Sequence, residues 1–338
     1  MDHASRERLL NIVKRFSQRK ILVIGDSVAD QFVYGAISRV SREAPVFILR
    51  HEQTETVPGG AANCAINIAS LGAQVTLISV AGTDEPGKSM VEKLMQAGVD
   101  CSEMVRIPGF RTTTKVRILA GQVHSTRQQV IRLDYEGSSV DEKELKEQLH
   151  QRIVERASGF DAVIISDYNY GVADAQTALV VRDATRSRGV PVLVDSRFRL
   201  SSFEGFTSAT PNEDEVEQLV GEPISETGQL ESAGSRIRSQ HGYQALLITR
   251  GGKGMLLIED GISPLQIDAV GGREPVDVTG AGDTVMATYT LALASEASFS
   301  EAAILANHAG GLVVMKRGTA AVTTGELENS LQSWSRDD

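Results

Sequence analysis

The stretch DAVIISDY, residues 161–168, holds four consecutive apolar residues between acids. A strand wetted on one face alternates apolar and polar residues, so a run without alternation predicts a strand covered on both faces. Working outward, KILVIGD (20–26), QVTLISVAG (74–82), PVLVD (191–195) and QALLITRGG (244–252) share this character. Helical spacing fills the gaps. Residues 4–17 place Leu9, Leu10, Ile12, Val13 and Phe16 on one side, GGAANCAINIASLG (59–72) is a glycine-led helix, and 88–99, 141–157, 283–295 and 299–315 follow. Apolar strands separated by helices predict an α/β fold with a mostly parallel central sheet between helical layers. Such sheets bind ligands at the carboxyl ends of their strands. Asp26, Gly82, Asp167, Asp195 and Thr249 stand at those ends.

Two segments do not fit a doubly covered sheet. Residues 30–50 and 112–132 alternate in polarity, which predicts a small separate sheet acting as a lid. No internal repeat or low-complexity tract interrupts the pattern.

The 338 residues carry 41% hydrophobic and 23% charged side chains, the composition of a globular chain with a large core. A net charge of −10 excludes nonspecific nucleic-acid binding through phosphates, although local arginine clusters can still hold a small anion. Two cysteines, Cys64 and Cys101, make neither a disulfide framework nor a four-ligand zinc site, and point to a cytoplasmic setting. The N-terminal MDHASRERLLNIVKRF lacks the apolar centre of a signal peptide, and no apolar stretch reaches spanning length.

Two stretches compete for a phosphate. GTDEPGKS (82–89) matches the P-loop spacing G-x-x-x-x-G-K-[ST] between a strand and a helix. Its chemistry opposes that use. Asp84 and Glu85 would face the phosphates at a cost of ~1 kcal/mol or more per close like-charge contact, and Pro86 lacks an N–H donor. The simpler reading is a strand-to-helix turn with Asp84 near the helix start and Lys88 in solvent. VTGAGDT (278–284) instead opens a helix with glycines and places its acid at the rim. Asp283 is there either an N-cap or a base held beside a phosphate. TPNEDE (210–215), ITRGGKG (248–254) and ANHAGGLVV (306–314) each have a plain structural reading as well: a capping box at Asn212 and Glu215, a hairpin turn, and a helix-surface amide at Asn307.

In this order, GGAANCAINIASLG and DVTGAGDTVMATYTLALA make the chain resemble the ribokinase-like (PfkB) carbohydrate kinases over about residues 20–325. The resemblance implies a three-layer fold with a β lid inserted into one kinase domain spanning 1–338, and no nucleotidyltransferase domain. SRVSREAPVF (38–47), TTTKVRIL (112–119) and QQVIRLDYE (128–136) look like the kinases that phosphorylate D-glycero-D-manno-heptose 7-phosphate at O1. Implied cofactors are ATP and Mg²⁺, with a monovalent cation near the loop before Asp283. The implied partner is a sugar or sugar phosphate, and the lid strands favour a homodimer.

The resemblance also implies residue roles. Asp283 accepts the proton of the attacking hydroxyl, while the N–H groups of Gly280, Ala281 and Gly282 hold developing charge. Asn212 and Glu215 lie near the phosphates and the Mg²⁺ water shell. Thr249, Gly252 and Gly254 meet the nucleotide, Asn307 the adenine, and Arg197 the phosphates. Asp26, Gly59, Gly60 and Asn63 hold the sugar, and Lys115, Arg117 and Arg132 grip a phosphate already on it. Two departures from the heptose kinases stand out. DYNYG carries Tyr170 where they carry lysine, and DSRFR carries Arg197 where DPKG has lysine. A non-catalytic sugar-binding role and P-loop hydrolysis at Gly82–Ser89 are the alternative readings, with a kinase for another sugar or nucleoside nearer at hand.

Overall fold

The computed structural model describes residues 3–121, 127–137, 140, 142–272 and 274–334. In chain order, α1 (His3–Lys14) precedes β1 (Lys20–Gly25), then β2 (Ser27–Val40) and β3 (Phe47–Gly60) form a long hairpin leading into α2 (Ala61–Ser70). Next come β4 (Gln74–Ile78), β5 (Val80–Gly82), α3 (Glu85–Gln96), β6 (Val105–Ile107), β7 (Thr114–Gly121) and β8 (Gln128–Tyr135). The second half runs α4 (Lys143–Arg156), β9 (Ala162–Asp167), α5 (Ala175–Arg186), β10 (Val192–Ser196), β11 (Ser208–Ala209), α6 (Glu213–Val220), α7 (Thr227–His241) and β12 (Ala245–Thr249). It closes with β13 (Met255–Glu259), β14 (Leu265–Ile267), α8 (Ala281–Ala294), α9 (Phe299–Val313) and α10 (Thr324–Ser333).

The main sheet has the order β14-β13-β12-β11-β10-β9-β1-β4. Its strands from β4 to β12 are parallel, and β13 and β14 are antiparallel. The missing alternation in the apolar runs has the expected cause. Along β1, Ile21 and Val23 pack into one core, which includes residues of α1, α2, α8 and α9, while Leu22 and Ile24 pack into another, which includes residues of α4, α5 and α7. β9 divides Ala162 and Ile164 from Val163 and Ile165 in the same way. Successive side chains point to opposite faces and both faces are dry, so every position must be apolar.

The second sheet, β3-β2-β7-β8, is the lid. Its strands reach beyond the expected 30–50 and 112–132, because the β2–β3 hairpin runs unbroken from Ser27 to Gly60. β2 starts two residues after β1 ends, so the lid grows out of the carboxyl edge of the main sheet. Residues 122–126, within the expected lid, lie outside the described residues. Among the described residues, no helix is long and apolar enough to cross a membrane.

Candidate active site

The carboxyl edge of the main sheet and the inner face of the lid enclose a cleft of about 300 Å³. Its floor includes Tyr168 after β9, Asp195 and Arg197 at the end of β10, Thr210 and Asn212 after β11, and Thr249 at the end of β12. Val278, Thr279, Gly280, Gly282 and Asp283 close one side.

The lid supplies the opposite wall through its pleat. Asp30 on β2 sits across from Lys115 on β7, Lys115 across from Asp134 on β8, and Arg117 across from Arg132. Residues in register share a face, so Asp30, Lys115, Arg117 and Arg132 all line the cleft. Two of these cations already have acids. Arg117 pairs with Asp30, and Arg132 grips Asp134 at 2.6 and 2.5 Å. Among the described residues, Lys115 and Arg197 have no such pair, and both lie over the Tyr168 ring, 5.8 and 5.0 Å from its centre. Burial, followed by repulsion from Arg197, lowers the pKa of Lys115. Two unpaired cations that repel each other in a cleft form a place for an anion.

Asp283 lies in the first turn of α8, where Gly280 is the N-cap residue at φ +78°. A side chain at 280 would bring a Cβ to 2.6 Å from the Asn63 amide nitrogen, so the turn needs glycine for both conformation and space. Asp283 is not a cap. Asn63 Nδ2 donates to its Oδ2 at 2.6 Å and the Tyr168 hydroxyl donates to its Oδ1 at 3.0 Å. One turn along α2, Asn67 accepts from the Thr284 hydroxyl at 2.7 Å, which locks the two helices together at the site. Burial pushes the Asp283 pKa up to about 6, against the opposing donors Asn63 and Tyr168 and the charge of Arg197. The carboxylate is therefore ionised near neutrality yet a better proton acceptor than an exposed aspartate. A Cβ on Gly282 would meet nothing within 4 Å, so the space beside this helix start is open on the cleft side. The first-turn N–H groups and the helix dipole favour an anion there.

Asn212 and Glu215 form the capping box of α6: Asn212 Oδ1 accepts from Glu215 N at 2.8 Å, and Glu215 Oε2 accepts from Asn212 N at 2.9 Å. Both still line the cleft. Burial raises the pKa of Glu215, and burial with the nearby charges of Asp283 and Glu215 raises that of Asp195 well above the carboxylate range. Acids packed this closely favour a cation between them. Among the described residues, no three His, Cys, Asp or Glu cluster tightly enough to cage a metal. Asp195 and Glu215 thus fit Mg²⁺ in the form that keeps its waters and takes one or two carboxylates plus phosphates.

Several expected site residues lie elsewhere. Asp26 is not a cleft residue. Its carboxylate turns under the loop after β9 and accepts from the N–H of Tyr168, Tyr170 and Val172 at 2.9, 3.0 and 2.8 Å. Asp30, four residues further, holds the cleft position instead. Gly59 lies so near Asp30 that a Cβ there would sit 2.3 Å from its Oδ2. Asn307 is buried and donates to the Asp268 carbonyl at 2.7 Å, away from the cleft lining. Gly252 and Gly254 also lie off it; a Cβ at 254 would strike the Ile267 carbonyl at 2.0 Å, so that glycine serves the close approach of β14. Gly59, Gly60, Lys115, Arg132, Arg197, Asn212, Glu215, Thr249, Gly280, Gly282 and Asp283 all line the cleft, and Asn63 reaches it through Asp283. Ala281 follows Gly280 as the first helical residue of α8. The sequence marks Asp195 as a strand-end residue without giving it a role, and does not single out Tyr168 or Asp30. Their signal was position: each stands at or just past the carboxyl end of a strand, or on the inward period of a lid strand.

The P-loop look-alike fails on geometry. Asp84 caps α3, accepting from Gly87 N at 3.2 Å, and also takes Thr112 N at 2.9 Å and the Thr112 hydroxyl at 2.5 Å. The protein's own carboxylate fills that turn, and Lys88 is exposed.

An acid at a helix start, facing a basic wall under a lid on a parallel α/β sheet, suits phosphoryl transfer of the kinase class. The chain belongs to the pfkB family of carbohydrate kinases, whose family profile matches residues 18–324. It is 40% identical over 317 residues to the bifunctional protein HldE of Nitrosococcus oceani, covering 94% of this chain and 64% of that protein. It is likewise 40% identical over 320 residues to HldE of Pseudomonas aeruginosa, covering 94% and 65%. The chain thus spans a little under two thirds of the length of these relatives. Among solved structures, Arabidopsis thaliana ribokinase complexed with ribose and ATP superposes with a TM-score of 0.75 at 21% identity, covering 94% of this chain and 99% of that one. Escherichia coli phosphofructokinase-2 in complex with potassium gives 0.75 at 20% identity, covering 93% and 98%. These two likenesses bear on the fold.

Proposed function

We propose that this carbohydrate kinase transfers the γ-phosphate of ATP to O1 of D-glycero-D-manno-heptose 7-phosphate, with Asp283 as general base. The observation that carries the reading is the pairing, in one cleft, of a buried carboxylate at an open helix start with two cations, Lys115 and Arg197, that have no ion-pair partner among the described residues. The acceptor hydroxyl gives its proton to Asp283 as its oxygen bonds to the γ-phosphorus. The bond to the β-phosphate oxygen breaks, and ADP leaves. The N–H groups of the first turn of α8, around Gly282, stabilise charge on the transferring group. Asp195 and Glu215 would hold Mg²⁺ through water, and the ion would neutralise phosphate charge. Lys115, with Arg117 and Arg132 behind it, suits a phosphate at the far end of the acceptor.

The similarity to HldE proteins supports the heptose phosphate, and the departures at Tyr170 and Arg197 make another phosphorylated sugar the second reading. A coupled ADP-release assay across heptose, hexose and pentose phosphates tests both. Turnover with heptose 7-phosphate at least tenfold above every other acceptor supports the first; preference for a different sugar phosphate selects the second. Full turnover by Asp283→Asn overturns the assignment of the base.

The outward face of β8 leaves Ile131, Leu133 and Tyr135 from 42 to 49% exposed. We infer that two copies pair through the lid. Sedimentation of the protein as a monomer at micromolar concentration would refute this.

A further inference from the structure

Tyr168 stands at a junction that the phosphoryl-transfer chemistry alone does not require. Its hydroxyl donates to Asp283 Oδ1, opposite the Asn63 amide on Oδ2. Its ring packs against Gly60, where a Cβ would sit 3.4 Å from it. Lys115 and Arg197 lie over the same ring. Its backbone is fixed as firmly. The Tyr168 N–H is held by the buried Asp26 carboxylate, and the next residue, Asn169, adopts φ +64°, a conformation that non-glycine residues rarely take. Asn169 N–H is held in turn by Asp167 Oδ1 at 2.9 Å. A flexible aromatic at the rim of a cleft needs none of these restraints.

We propose that Tyr168 is the positioning residue of this site: its O–H fixes one oxygen of Asp283, so that the carboxylate keeps a single orientation toward the acceptor hydroxyl. A carboxylate turns easily about its last torsion. With Asn63 on one oxygen and Tyr168 on the other, that turn is blocked. Each oxygen retains a further lone-pair site, so the acceptor hydroxyl can still bind. Asp26 acts one step further back, holding the loop that carries Tyr168.

The same bond controls ionisation. The groups that face Asp283 are Asn63 and Cys64 on α2, Tyr168 after β9, Asp195 and Arg197 at the end of β10, and Asp30 on β2. Of these, Asn63, Tyr168 and Arg197 favour the charged carboxylate, and Asp30 opposes it. Removing the Tyr168 hydroxyl deletes one of two direct donors, so Asp283 should then hold its proton to higher pH.

This inference rests on Asp283 being the base, and the test separates the two claims. The full-length chain, labelled with ¹³C-aspartate, is titrated by NMR without substrate, and the Asp283 signal is assigned by its loss in Asp283→Asn. Tyr168→Phe should move the Asp283 midpoint up by about one pH unit, the size expected for losing one hydrogen bond to a charged group. The acid limb of kcat/KM, measured with ATP and heptose 7-phosphate, should move with it, and the plateau above pH 8 should fall about tenfold as the freed carboxylate loses its single orientation; an unmoved plateau overturns the positioning role. Site-specific 2,3-difluorotyrosine at 168 keeps the shape and strengthens the donor, so it should move both midpoints down and covers the case of a poorly folded Phe variant. An unmoved titration, or a moved titration with an unmoved acid limb, overturns the role given to Tyr168. A fully active Asp283→Asn instead overturns the base itself, whatever Tyr168 does.

Discussion

Replacing Asp26 tests the least expected element of the site. The side chain is 1% exposed and accepts three backbone N–H bonds from residues 168, 170 and 172. In Asp26→Ala those donors lose their acceptor. A buried donor left unsatisfied costs about 1–3 kcal/mol. Burial raises the Asp26 pKa from 3.8 to about 6, with the same three N–H bonds already opposing the rise. Three donors left without an acceptor, offset in part by removal of a carboxylate that burial disfavours, give a net destabilisation at pH 7 on the order of 3 kcal/mol. The pH dependence fixes the sign. The folded pKa lies above the unfolded one, so the native state binds the proton more tightly, and wild type gains stability as pH falls from about 6 toward 4. The variant lacks this gain. The gap between the two should therefore widen by about 1 kcal/mol on going from pH 7 to pH 5. Urea unfolding followed by circular dichroism at both pH values measures it. A gap below 1 kcal/mol at pH 7, or one that narrows at pH 5, would refute the clamp.

Other consequences are open to direct measurement. Asp283→Asn should lower kcat by about 10²–10⁴ while the KM for ATP changes only severalfold, as expected for loss of a general base. Wild-type kcat/KM should fall about tenfold per pH unit below about 6, where Asp283 takes up its proton; a rate flat to pH 5 would contradict its role. Gly282→Ala should leave the melting temperature unchanged or higher, since alanine favours a helix and its Cβ meets nothing in the protein, yet raise the KM for ATP by crowding the cleft. Lys88→Ala should leave turnover intact, whereas Asp84→Ala should lower stability by about 1–2 kcal/mol through loss of the α3 cap.

Much of this protein can be read from its residues alone, because the governing forces are local or periodic. Apolar runs without alternation require a sheet dry on both faces, and β1 and β9 divide their side chains between two cores accordingly. Alternation in TTTKVRIL and QQVIRLDYE sends Lys115, Arg117 and Arg132 to one face of the lid. The acids inside GTDEPGKS argue against phosphate by charge, and Asp84 does fill that turn. The helix α10 escaped the pattern because Leu327 and Leu331 are its only large apolar residues, yet its capping box at Thr323 and Glu326 was written in the chain.

What the sequence alone determined was the α/β sheet, the lid and the stretches that meet at the sheet's carboxyl edge. Only the tertiary structure decided which acid does what. Asp26 and Asp30 are both aspartates near the junction of β1 and β2, and nothing local tells a clamp from a cleft residue. The choice depends on direction and on partners: the three N–H groups that claim Asp26 come from more than 140 residues away. The Asn63 and Tyr168 bonds to Asp283 likewise join segments 220 and 115 residues apart. Such contacts form only when loops close over long stretches of chain, and no periodicity in the sequence records which side chains will then meet.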